Sequence, residues 1–334
     1  MSGEGAGAGG GISPRIAVGA IDPAAMAGWD PTLPIVELGG ATMGTGWRAM
    51  FAAPPAVDRG QLRGAIVALL DQLVAEMSHW EPDSALGRFN RAAPGSWTAL
   101  PPDFATVIAA ALDLAAQTFG AFDPAIGALV DLWGFGPVPA AGRPDDASVR
   151  AALEQGGWQR LHFDPAARRL LQPGGLRLDL SGIAKGHGVN RVSALLMERG
   201  VRHSLVEIGG EFVGRGMRPD GDPWWVELET PAGEVRPIRV ALHQLAVATS
   251  GDYVRGKHTI DPHTGRPVHH ALAVSVIHRS AMLADAWATA LSVVGPEDFL
   301  PLSEAHGLAA RALIRTDGGV RELLSPALQA MIAD

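Results

Sequence analysis

Residues 272–294 read LAVSVIHRSAMLADAWATALSVV. The first six are β-branched and small apolar residues in a short run, and residues 282–294 switch to an almost wholly apolar helical pattern. Upstream, residues 204–208 (SLVEI), 224–229 (WWVELE), 238–242 (IRVAL) and 245–248 (LAVA) read as further strands. Successive strands without an intervening helix do not make βαβ units. They point to an α+β fold with a mostly antiparallel sheet.

The earlier part of the chain supplies most of the helices. Apolar residues at helical spacing predict one over residues 61–77, and a second over 103–119 behind a possible Asp103 cap. Shorter helices are expected at 146–154 and 188–198, and strands at 34–38 and 176–180. The first 33 residues, rich in Gly, Ala and Pro, read as a flexible leader before a single domain over 34–334.

Composition narrows the function classes. An apolar share of 47% with 19% charged residues suits a soluble globular chain of 334 residues. The net charge of −8, without a basic stripe, disfavours a nucleic-acid partner. The absence of cysteine removes disulfides, thiolate metal sites and a Cys nucleophile. The best apolar run, residues 107–119, contains Asp113 and falls short of the roughly 18 residues that a membrane span needs. The N-terminus shows no export signal, which points to the cytoplasm, with the periplasm open if the N-terminus is trimmed.

Three motifs fail on context. Gly5, Gly7 and Gly10 spell a dinucleotide fingerprint without the strand before it or the helix after it. The run 251–257 approaches a phosphate loop, but His258 stands where Ser or Thr belongs, and Pro262 blocks a helix. His258, His263, His269, His270 and His278 crowd together at spacings that match no usual zinc site.

What remains is oxygen chemistry. Asp285 and Thr289 lie four residues apart, hence on one face of an apolar helix, and a carboxylate with a hydroxyl suits Mg²⁺. An Asp near a helix start and a Thr bonded to its own backbone is the plainer alternative. Residues 178–188 (LDLSGIAKGHG) run through glycines into a helix, so that backbone N–H groups and Lys185 can meet phosphates, with Asp179 a polar contact. A tight turn with a solvated lysine fits as well. His258 beside Asp261 is a candidate base with a carboxylate to orient its ring, or part of an ordinary hairpin.

In order along the chain, these stretches resemble the ApbE-type FAD:protein FMN transferases. The matching residues are Met43-Gly44-Thr45, Ser78-His79-Trp80, Asp83-Ser84, Arg88-Phe89-Asn90 and 120–123 leading to Leu132-Trp133-Gly134-Phe135-Gly136. They continue through 178–186, Glu207-Ile208-Gly209-Gly210, Thr249-Ser250-Gly251-Asp252, 258–262, and Asp285-Ala286 with Thr289. The resemblance implies two intimately packed α+β halves, T-fold-like, with a flavin groove between them. It implies FAD as substrate, Mg²⁺, and an acceptor flavoprotein whose Thr or Ser hydroxyl receives FMN as AMP leaves.

On that likeness Met43, Trp80, Ala121, Phe122, Asp123, Asp179, Lys185 and Ile260 line the FAD site. The Gly182 carbonyl, Asp285 and Thr289 form the metal shell, and His258 and Lys185 are catalytic. The same residues would also serve an FAD pyrophosphatase or a non-catalytic flavin binder. One departure from the family pattern is that His187, Gly188 and Asn190 stand where an aromatic, a small residue and an Asp are usual.

Overall fold

The computed structural model describes residues 13–137, 139–140, 142–231, 235–252 and 258–332. Gly5, Gly7 and Gly10, and residues 253–257 of the phosphate-loop-like run, lie outside them.

Alternating side chains build the central layer. In the strand Thr45–Ala52, Trp47, Ala49 and Phe51 are buried on one face while Arg48 and Met50 point to the other. That strand belongs to an eight-stranded sheet in the order Gly319–Leu324, Ala309–Thr316, Ala271–His278, Ala246–Gly251, Glu211–Arg215, Ser204–Ile208, Thr45–Ala52, Ile35–Thr42. Every neighbouring pair runs antiparallel, as the sequence predicts.

Helices cover one face. Leu62, Ile66 and Leu70 of Arg59–Met77 and Val189, Val192 and Leu196 of Ala184–Glu198 pack on Trp47, Ala49 and Phe51. The helix Ala281–Val293 lies beside them, with Ala284, Ala288 and Leu291 in one cluster with Ala248, Val274 and Val276. Each fully buried Leu, Ile or Phe contributes about 1.5–3 kcal/mol here. The opposite face is covered by a small sheet of Arg15–Val18, Ile238–Leu242 and Trp224–Glu227.

Several elements depart from expectation. Part of the leader is folded: Arg15–Val18 pairs parallel with Ile238–Leu242, Ala17 is fully buried, and Arg15 ion-pairs with Glu322 at 2.5 Å. A four-residue strand between Gly- and Pro-rich stretches carries too little periodicity to read locally.

Asp103 does not cap its helix. Pro102–Gln117 starts after Pro101, and the Asp103 carboxylate instead takes His187 Nε2 at 2.9 Å and Arg191 Nε at 2.8 Å. Residues 176–180 form no strand. The Asn90 side chain takes a partner strand's place, accepting from Leu178 N at 2.8 Å and donating to Leu178 O at 3.0 Å. The helix expected from 188 begins at Ala184, which puts Lys185 and Gly186 in its first turn. Beyond residue 294 the chain adds the helix Pro296–Ala305 and two more strands of the main sheet.

Candidate active site

Residues 178–186 form the spine on which the predicted residues assemble. The backbone N of Asp179 donates to Pro124 O at 2.9 Å, which ties the spine to the loop carrying Ala121, Phe122 and Asp123. Ala121 and Phe122 are buried. Asp123 accepts from Ala125 N at 2.7 Å and Trp158 N at 3.1 Å, and burial pushes its carboxyl up to about 6 against those two bonds. His263 Nε2 lies 2.9 Å from Phe119 O, so the hairpin of Ile260–Asp261 with Arg266–Pro267 docks on the same loop. Ile260 is buried there with Leu129 and Val149.

Asp179 is buried and accepts from Ser181 N at 2.7 Å. Its second oxygen lies 3.7 Å from His79 Nδ1, and His79 in turn sits beside the exposed Trp80, their ring centroids 5.4 Å apart. Met43 occupies a two-residue hairpin turn between Thr42 and Thr45, with φ +49° at Met43 and +70° at Gly44. A left-handed conformation costs a non-glycine residue about 1–3 kcal/mol, a strain that clusters at functional sites. The Met43 side chain reaches Gly188, where an added Cβ would lie 3.4 Å from its Cε.

Where the Ala184–Glu198 and Ala281–Val293 helices meet, the oxygen ligands predicted for a cation come together. The Ala184 helix has no side-chain cap of its own; Asp285 Oδ2, from the other helix, accepts the Gly186 N–H at 3.0 Å. The positive end of a helix favours an anion at that place. Burial nonetheless pushes the Asp285 carboxyl up, with Lys185 drawing it back. Thr289 closes on Gly182 so tightly that a Cβ there would meet Thr289 Oγ1 at 2.7 Å. The Asp285 carboxylate and the Thr289 hydroxyl are hard oxygen donors, the ligand chemistry that Mg²⁺ accepts. Among the described residues no three of His, Cys, Asp and Glu gather as a ligand set.

Lys185 is not a solvated side chain. Its ammonium makes a close ion pair with Glu211, and Asp285 and Glu229 feel its charge. Glu211 is itself buried, and desolvation raises its carboxyl while Lys185 lowers it. Glu211 lies one residue beyond the Glu207-Ile208-Gly209-Gly210 stretch that resembles the family pattern. An acid opening an apolar strand directly after a Gly-Gly turn is the signal that could have revealed it.

His258 is half-buried at the foot of the hairpin. In the same hairpin Asp261 Oδ1 accepts from His263 N at 2.9 Å and Oδ2 from Thr264 Oγ1 at 2.8 Å, so this carboxylate also closes its own turn. Asn190 donates to Ser280 Oγ at 2.7 Å and accepts from Ala281 N at 2.9 Å, so its amide ties the two site helices together.

A model of the ApbE family matches residues 43–312. The FAD:protein FMN transferase of Vibrio cholerae is 35% identical over 324 residues, 92% of this chain and 96% of that protein. The Klebsiella pneumoniae protein of the same name is 34% identical over 89% of each chain. Among solved structures, the flavinyl transferase ApbE of Pseudomonas stutzeri superposes with a TM-score of 0.85 at 34% identity, over 90% of this chain and 98% of that one. Sequence, fold and the ordered run of site segments agree, and the chain belongs to the ApbE family.

Proposed function

We infer that this chain transfers FMN from FAD to a hydroxyl of an acceptor flavoprotein, with AMP as the leaving group. The observation that supports this reading is that Asp285 accepts the Gly186 N–H beside Lys185 at the start of one helix, while Thr289, one turn further along the other, packs on Gly182. The names borne by the relatives point the same way.

FAD lies in a groove along the spine. Trp80 and Met43 offer aromatic and apolar surface, and the buried Ala121, Phe122, Asp179 and Ile260 supply a mostly apolar wall with one carboxylate, as a flat heteroaromatic ring requires. The Lys185 ammonium, in the first turn of the Ala184 helix, faces the pyrophosphate. Asp285, Thr289 and the Gly182 carbonyl would hold Mg²⁺, which when bound neutralises charge on the pyrophosphate oxygens.

The acceptor's Thr or Ser oxygen attacks the FMN phosphorus. The new P–O bond forms as the bond to the AMP oxygen breaks, and His258 takes the hydroxyl proton. Lys185 lies where negative charge builds on the departing AMP phosphate. Transfer to a protein requires that water be kept from the phosphorus, a task that falls to the acceptor surface as it covers the groove.

Incubation with FAD and Mg²⁺, with and without an acceptor domain bearing a threonine, tests this reading. Covalent flavin with stoichiometric AMP, dependent on acceptor, is the expected result; AMP with free FMN and no acceptor would make the chain a pyrophosphatase. His258→Ala should bind FAD with unchanged affinity in a fluorescence titration while losing about 100- to 10,000-fold in turnover. Retained turnover would remove His258 from the chemistry.

A further inference from the structure

Glu211 has no role in the scheme above, yet it is among the most deeply buried charged side chains of the protein. Its side chain is 3% exposed, against 22% for Lys185, so the carboxylate is the fixed end of the pair and the ammonium the accessible one. One of its oxygens, Oε2, is buried and has no hydrogen-bond partner among the described residues. Burying a carboxylate and leaving half of it unsatisfied works against stability, and an apolar residue of the same size would fit the strand better. A group retained at such a cost is a candidate for function.

The backbone is built to bring it there. Gly209 at φ +60° and Gly210 at +100° turn the chain between Ser204–Ile208 and Glu211–Arg215, and a Cβ at Gly209 would strike Thr45 Cγ2 at 2.8 Å. The turn therefore aims the first side chain of the second strand at the start of the Ala184 helix. The Lys185 charge also acts on two further carboxylates, Asp285 and Glu229. Removing Glu211 would shift that attraction toward Asp285, whose Oδ2 already serves Gly186 and whose remaining capacity the proposed metal requires.

We propose that Glu211 is the positioning residue of Lys185, holding its ammonium off Asp285 and in place for the incoming pyrophosphate. The idea rests on the reading of Lys185 as a pyrophosphate contact. A free lysine samples many rotamers, and fixing one before substrate arrives is worth on the order of tenfold in rate. Glu211 also repels the pyrophosphate, so its charge opposes ground-state binding while its geometry favours turnover.

The test uses Glu211→Gln, which preserves size, alone and in combination with Lys185→Met. Glu211→Gln should lower kcat for AMP release from FAD about tenfold and leave KM for FAD unchanged or reduced. In the Lys185→Met background the same substitution should change kcat by less than about twofold, because it acts only through the lysine. A readout independent of turnover is the rate at which an amine-reactive reagent modifies Lys185, followed by peptide mass spectrometry. It should rise severalfold in Glu211→Gln, with circular dichroism confirming the fold.

Equal labelling of Lys185 in both proteins, or a kcat loss that multiplies in full with that of Lys185→Met, overturns the proposal. Absence of AMP release by the wild-type protein, with acceptor present, instead overturns the functional reading, and the labelling comparison still decides the role of Glu211.

Discussion

Replacing Gly186 with alanine should destabilise the protein even though alanine is the better helix former. The ideal Cβ at this position would lie 2.3 Å from Ala281 O, 2.7 Å from Ala281 C and 2.8 Å from Met282 Cα, all backbone atoms of the partner helix. Backbone cannot rotate aside, so the two helices must part by roughly 1 Å, a kind of overpacking that costs about 1–3 kcal/mol. The move also stretches the charged Gly186 N–H to Asp285 bond, worth about 1.5–3 kcal/mol. Alanine returns about 1 kcal/mol through helix propensity. The net loss is about 2–5 kcal/mol.

Gly64, in the middle of Arg59–Met77, supplies the control. An added Cβ there meets nothing within 4 Å, and Gly64→Ala should stabilise by about 0.5–1 kcal/mol. Thermal unfolding followed by circular dichroism compares the two. With about 2–4 °C per kcal/mol for a chain of this class, Gly186→Ala should melt about 4–20 °C low and Gly64→Ala a few degrees high. If both variants rise together, the helices are not locked at Gly186 and the metal-site geometry built on their contact has no basis.

Substitutions at two further positions probe the site. Asp123 has its carboxyl raised to about 6 from 3.8 by burial, so the folded protein binds a proton more tightly than the unfolded chain between those values. Its contribution to stability is fully present below pH 4 and is lost as pH rises through 6, with a span of about 3 kcal/mol at most. Asp123→Asn removes that loss but gives up one of two backbone bonds, worth about 1 kcal/mol. The variant should therefore be about 1–2 kcal/mol more stable than wild type at pH 8 and no better at pH 4 in urea titrations. A pH-independent difference would contradict the assignment. Asn190→Ala should cost about 2 kcal/mol through two lost hydrogen bonds. Asn190→Asp should stay within about 1 kcal/mol of wild type, since a carboxylate still accepts from Ala281 N and the Ser280 hydroxyl can turn to donate to it; a large loss on Asn190→Asp would mean that the amide N–H is indispensable.

The strands were legible wherever periodicity and turn residues agreed: residues 204–208 and 238–242 were placed to the residue. Asp285 and Thr289 stood out because oxygen ligands are rare on an apolar helix. What escaped the sequence depended on contacts distant along the chain. Residues 176–180 look like any apolar strand, and their backbone is satisfied by distant groups instead of a neighbour: the Asn90 amide, 88 positions earlier, and Pro124 O. Asp103 sits where a cap belongs, but a histidine and an arginine from another helix claim it. Glu211 looks like an ordinary strand-edge acid until Lys185 is seen against it.

The small sheet on the far face also sets a clock. Arg15–Val18 finds its partner only at Ile238–Leu242, and Ala17 bridges to Ile332 near the other end of the chain. At a synthesis rate of about 5–20 residues per second, the strand waits roughly 10–45 s on the ribosome before residues 238–242 are even made. For that interval Ile16 and Ala17 have no partner strand, and Arg15 waits still longer for Glu322. Closure of this sheet therefore trails the synthesis of its first strand by about 220 residues. A chain cut short before residue 238 would leave that segment without its native place.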